Sequence, residues 1–284
     1  TEDNNYYSFL HNKPLDILIE ASNGASDYGN KIGEPIIQGF CRSHMSKHNK
    51  IYNSDDKKNK PCRIEWLKPI MFSGGIGKIY NYNTFKNEPK YGNVIMRLGG
   101  PAYRIGLGGG TASSREQDDK NKESDFNAVQ RGDPEMANKL VRFIRRINYL
   151  TVQKNYHNKS ITSIIKSIHD QGSGGMANVT REISEPLGAN IYIDKVYSGD
   201  KTLSLLEKWV SEYQEQATFL AEIKDYKLLK SIAKEENINL TCIGNIESNG
   251  ILNVYTKNEN ELIKNPVSLP YLNESKKKEF YIKE

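Results

Sequence analysis

The sequence predicts an α+β fold with at least some antiparallel sheet. Three observations point there. Helical and extended segments alternate irregularly, without a regular strand–helix repeat. Segment 133–154 carries Met136, Leu140, Phe143, Ile144, Ile147 and Leu150 at helical spacing. Late in the chain, the apolar runs 239–248 and 250–257 flank Asn249 and Gly250, a hairpin signal that predicts an antiparallel pair.

The elements follow in order. Residues 14–22 read as a helix with Pro14 in its first turn, and the polar, glycine-rich stretch 23–35 reads as a loop. PIIQGFCRS (35–43) is an apolar run of strand length, expected to be buried. The Lys- and Asn-rich stretch 44–61 reads as a loop or insertion, solvated over 48–61. Segment 64–79 returns to strand character and breaks at Gly74, Gly75 and Gly77. A fresh unit is expected near Asn93, where 93–114 runs from a strand into a glycine-dense loop, followed by a charged loop at 115–125. Asp133 caps the helix over 133–154, with Pro134 at its first position. A strand ending at 170 and a helix over 178–186 follow. Then come a helix (202–213), a strand (215–223) and a helix (225–238).

A chain of 284 residues has room for one large domain or two modest ones. Its net charge of +5 suits anionic small molecules, while lysine runs such as 275–280 serve mainly to wet a surface. The absence of a basic stripe with interleaved aromatics argues against nucleic-acid binding. Cys41, Cys62 and Cys242 are far apart and form no CxxC pair, which fits a reducing compartment such as the cytoplasm. No apolar run is long enough to span a bilayer. The first ten residues lack the charged and apolar regions of a signal peptide, and they lack an initiator Met. The expectation is an excised piece of a longer chain.

Glycine-rich segments follow apolar runs at 72–77, 99–110 and 170–175. Glycine lets a backbone approach another group closely, and successive N–H groups beside a helix N-terminus can hold an anion. One such loop usually just turns the chain; three together favour phosphate handling. None matches a P-loop or the dinucleotide fingerprint. His169 and Asp170 end a strand just before the third cluster. Asp170 is either a turn former or a carboxylate ligand for Mg²⁺. His169 is either a hydrogen-bonded structural residue or a ligand. Gln130 and Arg131 precede the capped helix, and Glu212, Tyr213 and Gln214 lie between a helix and a strand. These are solvated ends or side chains presented to a ligand. No GxSxG, no Cys–His arrangement and no complete acid–base pair is present.

Six motifs in order carry a resemblance: ASNGASDYGNKIGEPIIQGFCRS, KPIMFSGGIGKI, LGGPAYRIGLGGGTASS, FNAVQRGDPEM, HDQGSGGMANVTREI and LEKWVSEYQEQ. Together they resemble the large, single-chain phosphoribosylformylglycinamidine synthases, also called formylglycinamide ribonucleotide amidotransferases, over nearly the whole chain. The resemblance implies an ATP-dependent C–N ligase of purine biosynthesis. ATP activates the amide oxygen of formylglycinamide ribonucleotide, and ammonia from a glutaminase domain displaces the phosphate. It implies an aminoimidazole ribonucleotide synthetase-like fold. Residues 1–90 would be the closing part of a first α/β domain, and 91–284 a complete second domain with a mixed or antiparallel sheet.

By the same resemblance, Asp170 is similar to a magnesium ligand. Gln130 and the segment Glu212, Tyr213 and Gln214 resemble substrate contacts, and Gln38, Gly39 and Phe40 resemble a nucleotide-adjacent segment. The implied cofactors are ATP and Mg²⁺. The implied partners are the other synthetase half and the glutaminase. The family's histidine-bearing ETHNHP-like segment has no match here, so the piece alone is expected to be inactive. It is also expected to expose apolar surface that a homodimer or irregular packing would cover. The alternatives are another ATP-using member of the superfamily, of aminoimidazole ribonucleotide or selenophosphate synthetase type, and a non-catalytic scaffold.

Overall fold

A computed structural model describes residues 13–34, 36–48, 62–66, 70–107, 132–154, 163–212, 215–256 and 269. The described residues before Ile79 form one compact unit, and those from Ile79 onward form another.

The first unit opens with helix α1 (Pro14–Ile32), with Pro at its start. It runs well past the predicted end at residue 22. Its stop is Gly33, at φ 77°, whose N–H returns to the Asn30 carbonyl, while Glu34 N–H reaches Gly29 O at 2.9 Å. A left-handed glycine is a helix terminator; the polar residues 23–28 were misread as one. Residues 23–27 continue the helix with their side chains largely at the surface, while Gly29 is buried and has Glu34 O close by.

Two antiparallel ladders follow. Strand β1 (Gln38–Arg42) pairs with β4 (Ile70–Gly74), and β2 (Met45–His48) pairs with β3 (Cys62–Glu65). Strand β2 lies where a loop or insertion was expected. The expected burial of 35–43 is also corrected. Ile37 is 66% exposed and Phe72, opposite Phe40 in the ladder, 62%. The Phe40 and Phe72 rings stack with centroids 5.5 Å apart. Apolar character suited this run to a strand, but burial needs a covering layer as well.

The second unit is built on a six-stranded sheet in the order β10-β7-β9-β5-β8-β6. Its strands are β5 (Val94–Gly99), β6 (Ser167–Asp170), β7 (Gly188–Tyr192), β8 (Gln216–Ala221), β9 (Leu240–Ile246) and β10 (Ile251–Tyr255). All neighbouring pairs are antiparallel except β10 with β7. The predicted hairpin of 239–248 with 250–257 is therefore corrected, because β7 lies between β9 and β10. Asn249 and Gly250 do make a turn, with Asn249 Oδ1 accepting from Ile251 N–H at 3.0 Å. Gly250 N–H instead donates to Leu187 O at 2.8 Å, across to the start of β7. A side chain on Gly188 would collide with the Ile251 main chain, so this glycine admits β10 to the outer side of β7.

The sheet is covered on both faces. On one, Val94, Met96, Leu98 and Phe219 pack with Phe143 and Ile147 of α2 (Pro134–Lys154) and with Leu229 and Ile232 of α5 (Tyr226–Glu235). On the other, Ile95, Leu220, Ile191 and Ile243 pack with Met176 and Ile183 of α3 (Gly175–Ser184). Trp209 of α4 (Leu205–Val210) joins from the side. Each such side chain contributes about 1.5–3 kcal/mol when fully buried. Asp133 caps α2 as predicted, accepting Met136 N–H at 3.0 Å.

Candidate functional site

The second and third glycine-rich loops converge on one segment, Ser211–Gln216. A Cβ on Gly99 would lie 2.3 Å from Glu215 O, one on Gly106 2.2 Å from Glu212 O, and one on Gly175 2.3 Å from Ser211 O. None of these positions admits a side chain, so the glycines grip this segment by its backbone. Glu212 N–H also donates to Gly106 O at 3.0 Å. Glu212 itself is half-buried, and that burial raises its carboxyl above the usual carboxylate value. Arg104 ties the second glycine loop down: it bonds Glu207 at 2.8 Å and Thr202 O at 2.9 Å. Glu207 is held at about 2 by Arg104 first, then by its capping bonds to Ser204.

Asp170 ends β6 opposite Ala217, at the same end of the sheet as the start of β8. Its side chain is 93% exposed, with one carboxylate oxygen 3.6 Å from His169 Nδ1, and so stands open to a ligand. Beside it, His169 is held at both ring nitrogens. Nε2 lies 2.5 Å from Glu182 Oε2, and Nδ1 lies 3.1 Å from Asp170 O. Glu182 belongs to α3, which begins just beyond the Gly174 turn.

Asp170 and Glu212 are thus carried on neighbouring segments, since Gln171 N–H donates to Gln216 O at 3.1 Å. Gln130, Tyr213 and Gln214 lie outside the described residues. Gln38, Gly39 and Phe40 sit on β1 of the first unit, and they line a cavity of about 250 Å³ with Ala25, Ile36 and Met71. A Cβ on Gly39 would stand 2.6 Å from Phe72 O, so this glycine has a packing duty whatever else it does.

Among the described residues, no cluster of three or more His, Cys, Asp or Glu side chains could enclose a metal ion. Mg²⁺ commonly takes only one or two protein carboxylates and completes its shell with water and phosphate oxygens. The exposed Asp170 carboxylate fits that limited part.

Sequence reasoning missed two residues at this site. Arg97 is fully buried in β5. Its Nη2 donates to Gly100 O at 3.1 Å and to the Gln216 side-chain carbonyl. The signal was a lone cation within the apolar run NVIMRLGG. Glu182 left no such signal, because only the fold brings α3 against His169.

Comparison with known proteins bears on this geometry. The family described as AIR synthase related protein, C-terminal domain, matches residues 90–257. The chain belongs to this family. The AIR synthase related domain thus contains Arg97, Asp170, Glu182 and Glu212. Proteins named phosphoribosylformylglycinamidine synthase are among its curated relatives. The phosphoribosylformylglycinamidine synthase of Dictyostelium discoideum is 47% identical over 94% of this chain, which spans 18% of that relative. The Homo sapiens protein of that name is 44% identical over 82% of this chain, which spans 16% of it. The chain thus spans less than a fifth of these two relatives.

Among solved structures, Thermotoga maritima PurL complexed with FGAR has a TM-score of 0.64 at 18% identity. The match covers 92% of this chain and 38% of that one. PurL from the same organism complexed with ATP gives 0.59 at 17% identity, over 91% of this chain and 36% of the other. At that identity the likeness establishes the fold. Among the described residues, no helix is long and apolar enough to cross a membrane.

Proposed function

We propose that this AIR synthase related chain is part of a phosphoribosylformylglycinamidine synthase. In the longer enzyme it would help convert formylglycinamide ribonucleotide, ATP and glutamine-derived ammonia to the amidine. The observation that carries the reading is the placing of an exposed carboxylate, Asp170, on a segment bonded to the one that carries a partly desolvated carboxylate, Glu212, which the glycine loops grip. The relatives' shared name supports the same assignment.

In this reading Gln130 and the Glu212–Gln214 segment contact the substrate, Asp170 supplies one oxygen to Mg²⁺, and Gln38, Gly39 and Phe40 lie near a nucleotide. When bound, Mg²⁺ would offset phosphate charge as the amide oxygen is activated. The chain's own groups bind and orient: Glu212 accepts hydrogen bonds, and the glycine loops fix where it stands. Residues 1–90 would close a first synthetase domain and 91–284 would make the second, a division supported by the family match from residue 90. The other synthetase half and a glutaminase would be partners, and the cytoplasm the setting. The chain alone would not turn over. Exposed Phe40 and Phe72 support association of two copies through the first unit.

Titration calorimetry of the chain with formylglycinamide ribonucleotide, with and without Mg²⁺, tests the site. Binding that needs Mg²⁺, and that weakens at least about tenfold in Asp170→Asn and Glu212→Gln, is expected. Affinity indifferent to both changes would sink the assignment. Turnover of ATP, ammonia and this substrate by the chain alone would overturn the claim of inactivity.

A further inference from the structure

We propose that Arg97 and Gln216 form a positioning knot that sets the spacing between the Glu212 segment and the Asp170 carboxylate. The inference rests on the functional reading of those two residues.

The first argument is energetic. Arg97 has no exposed surface and lies in a strand whose other residues are Val94, Ile95, Met96, Leu98 and Gly99. Desolvating a guanidinium costs several kcal/mol, and a well-packed apolar residue of similar volume often serves stability as well or better. Core packing alone therefore gives no reason for an arginine at this position.

The second argument is the bonding pattern. Arg97 Nη2 donates both to Gly100 O, at 3.1 Å, and to the Gln216 side-chain carbonyl. Gln216 Nε2 donates to the same Gly100 O at 2.8 Å. Three groups from two distant segments thus close a ring, and Gln216 uses both ends of its amide to do so. No smaller or purely apolar side chain reproduces this.

The third argument is where the knot's strands lead. The main-chain O of Gln216 accepts Gln171 N–H at 3.1 Å, so the knot is tied to the residue after Asp170. In the other direction the chain passes back through Glu215 to Glu212. Glu215 sits at φ 52°, an unfavourable backbone region for a residue with a side chain. Its carbonyl accepts Gly100 N–H at 3.4 Å and lies against Gly99. The knot thus grips the chain on the strand side of this bend. Loosening it would let the two carboxylates drift apart while the core on either face of the sheet stays packed.

The test uses the full-length polypeptide that carries this chain, with Arg97→Met, Arg97→Lys and Gln216→Met. KM for formylglycinamide ribonucleotide, the apparent Mg²⁺ constant, kcat and the melting temperature are measured together. An ångström of misplacement can cost up to about a hundredfold in rate. We expect Arg97→Met and Gln216→Met to raise KM and the Mg²⁺ constant together, by about tenfold or more, without lowering the melting temperature in proportion. Arg97→Lys should recover part of the loss, since it keeps the charge and a donor nitrogen but not the planar fork. Unchanged constants, or a fall in melting temperature with constants intact, would overturn the knot; so would failure of all three variants to fold, which would assign the pair to stability alone. Asp170→Asn and Glu212→Gln serve as references. If they leave both constants unmoved, the functional reading fails; if they raise them and the Arg97 and Gln216 variants do not, only the knot fails.

Discussion

Strands β1 and β5 make an instructive pair. Both are short and lie beside glycines. Every residue of β5 is buried, while β1 is exposed at all but Cys41. The difference lies in what covers them. Strand β5 has β8 and β9 as neighbours, with Phe143 and Leu229 on one face and Met176 and Ile183 on the other. Among the described residues strand β1 has a single partner, β4, and its apolar side chains remain at the surface. Apolar character makes a strand possible, but only a second and third layer turn it into a core.

The contrast can be broken most directly at a phenylalanine. Phe219 is fully buried, with its ring 6.2 Å from that of Phe143. Phe219→Ala should cost about 3–5 kcal/mol in urea unfolding. At dilutions where the chain is monomeric, Phe72→Ala, at an exposed site, should cost less than about 1 kcal/mol. If the two cost the same, the face of β1 and β4 is covered in solution, and light scattering would then reveal the association.

Glycines sharpen the same comparison with a somewhat smaller effect. Gly175 sits at φ 58°, where a Cβ would press on the Ser211 carbonyl, so Gly175→Ala should cost about 2–4 kcal/mol. Gly75 in the first unit has nothing within 4 Å of such a Cβ. Gly75→Ala should fall within about 0.5 kcal/mol of the parent. A large loss at Gly75 would mean that the first glycine loop is gripped as well.

The smallest effect is electrostatic and belongs to the second unit. Lys224 first, and then Lys166 at 2.9 Å, hold the Glu222 carboxyl down to about 2, against an ordinary value of 4.5. Because the folded value is the lower one, the stabilisation is complete above pH 4.5 and is lost as pH falls towards 2. The group is partly exposed and screened, so under about 1 kcal/mol is expected. Acid titration of stability in Glu222→Gln should be flatter through that window, and an unaltered slope would remove the pair from the account.

Much of the second unit was legible in the sequence. Helix α2 announced itself by periodicity, by Asp133 and by Pro134, because caps and amphipathic spacing act within a few residues. Asp170 and Glu212 were legible as candidates, since each flanks a glycine loop or an element end. The length of α1 was hidden by polar residues that resembled a loop. The partner of β10 was hidden because Asn249 and Gly250 describe a turn but not which strand receives the chain after it.

What the sequence alone determined, then, is where capped and periodic elements such as α2 form and which glycines could let a backbone come close, for those properties are local. Tertiary structure decided that Gly99, Gly106 and Gly175 close on one segment, and that β7 separates β9 from β10. It also decided that Arg97 meets Gln216, a residue 119 positions away. Contacts between residues so far apart depend on how the layers stack, and no local pattern encodes that before the sheet has assembled.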